Sequence, residues 1–497
     1  MNLAAQILLK NAFDCIAKDK LDESEELLKK ALNCAPNNHD ILRCMSVVAA
    51  LKTDYARALS LINQVIAIAP HDGVAHSNRG NILQALGQHE DALLSFNEAI
   101  RLLPTYAEAY NNKANVLQEL YRFEDALVWY DKAIAIDPSY AKAYKNKGNA
   151  LEWLRRHEEA MACFDIATSV DPSYVDAYWQ KGLSQLASGN FQLGWQNYEA
   201  RWTKSIPVKF QHAGVARLES LNNLHGKKLI VWAEQGLGDS IQFCRYIKPL
   251  SQTGAQITFL VPDQLLDIFN PLRAFCDLRS GLVYTPKDFD FQTPLMSLPL
   301  LFGTDLNTIP QEIPYLEVKE EKKKLLQKAL HPSTNLRVGV VWSGGHRPIH
   351  LDGYLEGERR NIALDQIAFL GDLNGIDFYS LQKGDPAESE LAAKKKILWP
   401  DIINCAPLIN DFTDTAALLD SLDLLISVDT STAHLAGALG KPVWILNRYD
   451  SCWRWLRGRD DSPWYPTAKI YHQMKAADWT EVIERVKVDL AKLVESR

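Results

Sequence analysis

Two short loops gather residue types suited to holding and activating a phosphate-bearing substrate. The first, Glu234-Gln235-Gly236-Leu237-Gly238-Asp239, follows the apolar run Lys228 to Ala233. Gly236 and Gly238 permit a tight turn and a close backbone approach to a ligand. Asp239 falls at the start of the next helix, where it either caps that helix or offers a carboxylate to a cleft. The second loop, within Ser427 to Pro442, carries Asp429-Thr430-Ser431-Thr432-Ala433-His434 between a buried run and a small-residue helix. Hydroxyls and backbone N–H groups at a helix N-terminus form a site for a diphosphate. His434, set among those hydroxyls, is expected to touch the ligand.

Other candidates point less far. Asp288-Phe289-Asp290 has the spacing of a metal-holding pair, but no histidine or third carboxylate lies near it, so a structural turn is expected and no metal. None of the eight cysteines forms a CxxC pair, which fits thiols in a reducing compartment and not a disulfide framework or zinc site. Asn78, Asn81, Asn111, Asn112, Asn115, Asn146 and Asn149 recur in the N-terminal part, with Asn81, Asn115 and Asn149 spaced by 34 residues. Each amide offers a donor and an acceptor, so this ladder can bind an extended peptide backbone or remain a solvated face.

The elements that must position these residues fall into two kinds. From Gly226 onward, β-rich runs alternate with helical stretches. Lys228–Ala233, Gln256–Val261, Arg337–Ser343, Asp377–Gln382, Leu422–Val428 and Pro442–Leu446 are predicted strands. Continuous apolar strands alternating with helices imply parallel sheets with helices on both faces. The polar stretch Lys319 to Asn335 is predicted to link two such lobes, and a helix from Asp478 to pack back across them.

Before Gly226 the chain repeats. Pro36, Pro70, Pro104, Pro138 and Pro172 are 34 residues apart, each ending a helical pair. Gly80, Ala114, Gly148 and Gly182 form a second column, and Ala58, Ala92, Ala126 and Ala160 a third. These small residues let the two helices of a hairpin approach. Phe96, Tyr130, Phe164 and Tyr198 are expected to fill the space between hairpins. In the last unit Gly194 stands for an alanine and Arg201 for a small residue, as suits a capping unit.

Composition narrows the class. At 497 residues the chain must hold more than one folding unit, and a net charge of −7 argues against a dedicated nucleic-acid binder. No apolar run approaches a membrane span, and Met1 to Leu9 has no leader pattern, so a soluble cytoplasmic protein is expected.

The proline, glycine and alanine columns resemble the tetratricopeptide repeat, over roughly residues 3–203. Residues 226–475 resemble the heptosyltransferase-like group of GT-B glycosyltransferases, and more distantly the O-GlcNAc transferases. Asp429 to Pro442 carries the strongest likeness. Gly339 to Gly344, Arg359-Arg360-Asn361-Ile362, Leu381-Gln382-Lys383-Gly384, Trp453 to Leu456 and Arg459 to Pro466 add to it. Gly345 to Glu358 departs from the pattern, and Ser431 stands where that group usually carries glycine.

The resemblance implies an all-α repeat solenoid, residues 1–203, followed by a GT-B domain of two Rossmann-like lobes, 204–318 on the acceptor side and 319–497 on the nucleotide-sugar side. It implies an inverting glycosyltransferase with Asp239 as general base and no cofactor. Gly236, Gly238, Ser343, Arg360, Gln382, Lys383, Asp429, Thr430, Ser431, Thr432 and His434 would contact the donor. Asn81, Asn115 and Asn149 would hold a protein or peptide acceptor. Transfer to a lipid-linked or polysaccharide acceptor, and a non-catalytic repeat scaffold, are the alternatives.

Overall fold

The computed structural model describes residues 3–205, 211–212, 214–281, 283–330, 332–345 and 359–497. The departure from the family pattern at Gly345 to Glu358 therefore lies almost wholly outside the described residues. The chain forms two compact units, Met1–Lys181 and Gly182–Arg497.

The first unit is a run of helical hairpins: α1 and α2 (Leu3–Ala17, Leu21–Cys34), α3 and α4 (His39–Leu51, Tyr55–Ile68), α5 and α6 (Gly73–Ala85, His89–Leu102), α7 and α8 (Ala107–Glu119, Phe123–Ile136), α9 and α10 (Ala141–Trp153, His157–Val170). The sixth hairpin, α11 and α12 (Val175–Ala187, Phe191–Tyr198), contains the unit boundary, so α12 counts with the second unit rather than with a domain ending at 203. The columns close each hairpin on itself. A Cβ on Gly80 would lie 2.7 Å from the Phe96 ring, so the large residue packs against the small one within a hairpin. A bare backbone on one helix thus makes room for a ring on its own partner, and Phe96, Tyr130 and Phe164 also share one core that runs through three hairpins.

One periodic feature was not legible. Asp19, Thr53, Gly87, Tyr121, Arg155 and Gly189, 34 residues apart, all have positive φ between 56° and 82°. Each follows the first helix of a pair, and the next N–H bonds back to close the turn, as Arg122 N does to Leu117 O at 2.9 Å. Thr53 is exposed and β-branched, which makes φ of 62° costly. Thr53→Gly is expected to raise the stability of the first unit by about 0.5–1 kcal/mol, the relief of left-handed strain exceeding the entropy glycine adds to the unfolded chain. Urea unfolding measures it, and a loss of stability would refute the strain argument.

A second column pairs lysine with carboxylate. Lys147 meets Asp131 at 2.6 Å and Lys181 meets Asp165 at 2.7 Å. One repeat earlier the amide of Asn97 takes the place of the acid and accepts from Lys113 Nζ at 2.6 Å, and the ammonium also sits 3.3 Å over the Trp129 ring. Burial, then Lys132 and Arg122, push Lys113 down to about 8.

The second unit holds two parallel sheets. The first has β1 (Lys228–Trp232), β2 (Gln256–Leu260), β3 (Asp277–Arg279) and β4 (Phe291–Pro294) in the order β3-β2-β1-β4. The second has β5 (Leu336–Val341), β6 (Ile376–Ser380), β7 (Ile403–Asn404), β8 (Leu424–Val428), β9 (Val443–Asn447) and β10 (Ala468–His472) in the order β10-β9-β8-β5-β6-β7. A polar helix, α13 (Glu320–Ala329), precedes β5, as the linker pattern predicts. The last helix, α14 (Thr480–Glu495), buries Val482, Ile483, Val486 and Leu490 in the core of the second sheet with Val338 and Ile426. It packs on that sheet rather than back across both lobes, because its apolar face matches that core. Asp288 and Asp290 do structural work: Asp288 accepts from Thr285 N at 2.7 Å, and Asp290 from Lys228 N at 2.8 Å.

Candidate functional site

In an open parallel sheet, ligands bind beyond the carboxyl ends of the strands, where the strand order reverses. The second sheet runs β5, β6, β7 to one side and β8, β9, β10 to the other, so it reverses between β5 and β8. The turns beyond Val341 and Val428 flank that point, and they carry Ser343 and Asp429 to Thr432.

Thr430 caps the helix Ser431–Ala438, its hydroxyl accepting from Ala433 N at 3.4 Å and lying 3.0 Å from Ser427 Oγ. Ser431 and Thr432 follow it, both half-buried. His434, 4 % exposed, is fixed on three sides: Nδ1 lies 3.0 Å from the Tyr465 hydroxyl, Nε2 lies 3.6 Å from Asp429 Oδ1, and the ring stacks on Trp455 with centroids 5.2 Å apart. Burial by itself would raise the Asp429 carboxyl. His434, Arg360 and Arg454 outweigh it and hold the group well below the usual carboxylate range, so it stays ionised.

Arg360 Nη1 donates to Asp429 O at 3.0 Å. Its guanidinium lies over Gly344, where a Cβ would collide with it. Gln382, expected to contact a ligand, is 2 % exposed and spends its whole amide on the protein. Its oxygen accepts from Trp342 N at 3.2 Å and Ser343 N at 3.0 Å, and its nitrogen donates to Ser343 O at 3.0 Å and Lys383 O at 3.4 Å. With four bonds made it has none left for a ligand, so it shapes the turn after β5. Ser343 is nearly buried there, its hydroxyl 3.3 Å from Gly344 O. Lys383 Nζ donates to Ala406 O at 3.0 Å and lies 3.6 Å from Glu388, whereas Arg360 is the cation that reaches Asp429.

The other loop meets this one. Gly236 N-caps the short helix Leu237–Phe243, and its N–H donates to Asp239 Oδ2 at 2.9 Å. Asp239 is thus a cap, and its Oδ1 is also paired with Arg454. A Cβ on Gly238 would lie 2.8 Å from His434 Cδ2 and 3.5 Å from Ser431 Cα, so a bare backbone lets the helices of the two loops touch. The left-handed residue of the turn is Gln235, φ 63°, not a glycine; its amide donates to the Tyr198 hydroxyl at 2.9 Å.

Two arginines carry more than the motif pattern shows. Arg454 packs 4.4 Å over Trp453 and donates to Cys452 Sγ at 3.0 Å, while its buried Nε has no hydrogen-bond partner among the described residues. Burial opposes its charge, but Asp239, Cys452 and Tyr198 keep it protonated far beyond the ordinary range. Arg201, fully buried, fills the first sheet's own reversal point, between β1 and β4. It grips Glu234 through two bonds of 3.0 and 2.9 Å, Ser297 Oγ at 2.8 Å and Glu199 at 2.6 Å. Its sequence signal was a large cation where the repeat expects a small residue.

The asparagines largely bind each other. Asn112 donates to Asn81 at 3.0 Å, Asn111 to Asn112 at 3.1 Å, and Asn146 to both Asn111 and Asn115 at 3.0 Å. Tyr130 donates to Asn115 at 2.7 Å. Asn111, Asn112 and Asn146 are buried, Asn81 is exposed, and Asn115 and Asn149 are half-buried. The ladder thus ties successive first helices together.

Among the described residues no group of three or more His, Cys, Asp or Glu is placed to hold a metal, and no helix is long and apolar enough to cross a membrane.

Comparison with known proteins covers the two units unequally. Tetratricopeptide-repeat family models match residues 80–120, 107–140 and 141–174. Protein FlbA of Caulobacter vibrioides is 28% identical over 336 residues, 61% of this chain and 53% of that protein. The chain thus spans about half the length of this curated relative, and the matched share exceeds the repeats and takes in part of the second unit. A thermophilic tetratricopeptide-repeat protein from Thermus thermophilus is 20% identical over 37% of this chain and 100% of its own, with a TM-score of 0.35. MamA from Desulfovibrio magneticus is 21% identical over 35% and 98%, with a TM-score of 0.31. The N-terminal part of the chain is a tetratricopeptide-repeat solenoid, followed by a region of parallel sheets.

Proposed function

We propose that the second unit is an inverting, nucleotide-sugar-dependent glycosyltransferase of the GT-B kind, and that the repeats recruit a protein or peptide acceptor. The observation that carries the reading is one guanidinium on each loop, Arg360 on the Asp429 carbonyl at the capped helix start beside the strand-order reversal, and Arg454 on Asp239 of the opposing loop. Two guanidinium groups and the N-terminal amides of that helix suit the charge that grows on a leaving diphosphate. In the reaction an acceptor oxygen attacks the anomeric carbon. The new C–O bond forms as the bond to the diphosphate breaks, the nucleoside diphosphate leaves with the electron pair, and the acceptor proton passes to Asp239.

Thermal unfolding of the full chain with UDP, GDP and ADP and their sugar conjugates tests it. One nucleotide family should stabilise the fold, by about 2.7 kcal/mol at a concentration 100 times Kd. Arg360→Gln should remove most of that shift. No shift with any of them would refute the reading.

A second reading has one observation in its favour. Both Asp239 oxygens are engaged, one by Gly236 N–H and one by Arg454, which suits a repeat scaffold without catalysis.

A further inference from the structure

We infer that Arg454 is shared between Asp239 and the diphosphate of the donor, so that donor binding releases the Asp239 carboxylate. This rests on the transferase reading. The geometry supplies each part. Arg454 is nearly buried, its side chain 11% exposed, and its partner Asp239 is 14% exposed, so water screens the pair poorly. A guanidinium has five N–H donors. In Arg454 one end is taken by Asp239 and Nη1 by the weak acceptor Cys452 Sγ, while the buried Nε meets no acceptor among the described residues. An arginine with unmet donors beside a proposed anion site gains by meeting a diphosphate, whose oxygens accept its fork in parallel.

The pairing also decides what Asp239 can do. Held by Gly236 N–H on Oδ2 and by Arg454 on Oδ1, the carboxylate has both oxygens engaged, and Arg454 occupies the one an acceptor hydroxyl would approach. If Arg454 turns to the diphosphate, Oδ1 is released while the Gly236 bond keeps the group in place. The base thus becomes available once the donor is bound, and the acceptor proton has a destination only when the leaving group is present.

The test is a double-mutant cycle on the full chain, titrating UDP, GDP, ADP and inorganic pyrophosphate by calorimetry. If Asp239 holds Arg454 for nine-tenths of the time, apparent affinity is weakened about tenfold. Asp239→Asn is therefore expected to tighten binding about tenfold, and Arg454→Gln to weaken it by at least as much. In the double variant the gain from Asp239→Asn should vanish. Unchanged or weaker binding by Asp239→Asn overturns the inference. So does a gain that survives in the Arg454→Gln background, since that would be through-space repulsion alone. Should Arg454→Gln not fold, Arg454→Lys keeps the charge without the fork, and the gain should shrink to less than half. Wild-type protein that binds none of the four probes removes the transferase reading; wild-type binding without the gain removes only the shared arginine.

Discussion

Arg201→Ala is expected to lower the stability of the second unit by about 3–5 kcal/mol, the cost of leaving one partner of a buried ion pair alone. The site allows little relief. Glu234 is as deeply buried as Arg201, and it also accepts from Met296 N at 3.2 Å, so it is pinned in place and cannot turn to solvent. Glu199 loses Arg201 as well but keeps Arg217 and the Trp202 indole, which donates at 3.0 Å, so the penalty falls mainly on Glu234. Replacing both partners with apolar residues, Arg201→Met with Glu234→Leu, should restore much of the loss, because no charge is then left unpaired. Urea unfolding followed by tryptophan fluorescence measures both; Trp195, Trp232, Trp453 and Trp464 lie in the cores around these loops. A loss below about 1 kcal/mol in the single variant would mean that water reaches Glu234 and that the pair is not closed off.

Asp239→Asn is expected to cut sugar transfer by about 10²–10⁴-fold, the usual worth of a positioned general base. The amide keeps the shape and can still accept from Gly236 N–H, so the helix Leu237–Phe243 stays capped. The ion pair with Arg454 is lost, with a stability cost of about 1–3 kcal/mol for the group left behind. Turnover therefore separates the two roles in one variant: a cap predicts unchanged transfer and a base predicts its loss, while the stability cost of the broken ion pair is common to both. On the proposed reading kcat falls while affinity for nucleoside diphosphate does not. A folded Asp239→Asn protein that transfers at near wild-type rate would place the base elsewhere.

How much of this was legible follows from the range of the interactions. The predicted strand runs at 228, 256, 337, 377, 422 and 442 each coincide with a strand to within two residues at the start, because strands buried on both faces are continuous apolar runs. The strands β3, β4, β7 and β10 were missed. The first three are short, and β4 hides polar residues in its core: Gln292 and Thr293 are fully buried, and Gln292 accepts from the Trp232 indole at 2.8 Å. A polar side chain with a distant partner looks like a loop to any pattern of hydropathy.

The sequence by itself determined the repeat solenoid, the two sheets and the loops that carry Asp239 and His434, because each rests on interactions within a few dozen residues: a 34-residue period, a buried run, a helix start. Only the tertiary structure decided what those loops meet. It paired Asp239 with an arginine far along the chain, turned Gln382 inward, joined the asparagines to one another and closed the first sheet's reversal point with Arg201. Burial sets the weight of such pairings, since a charge or amide removed from water must find its partner inside the protein, and spacing along a sequence does not record which partner the fold brings near.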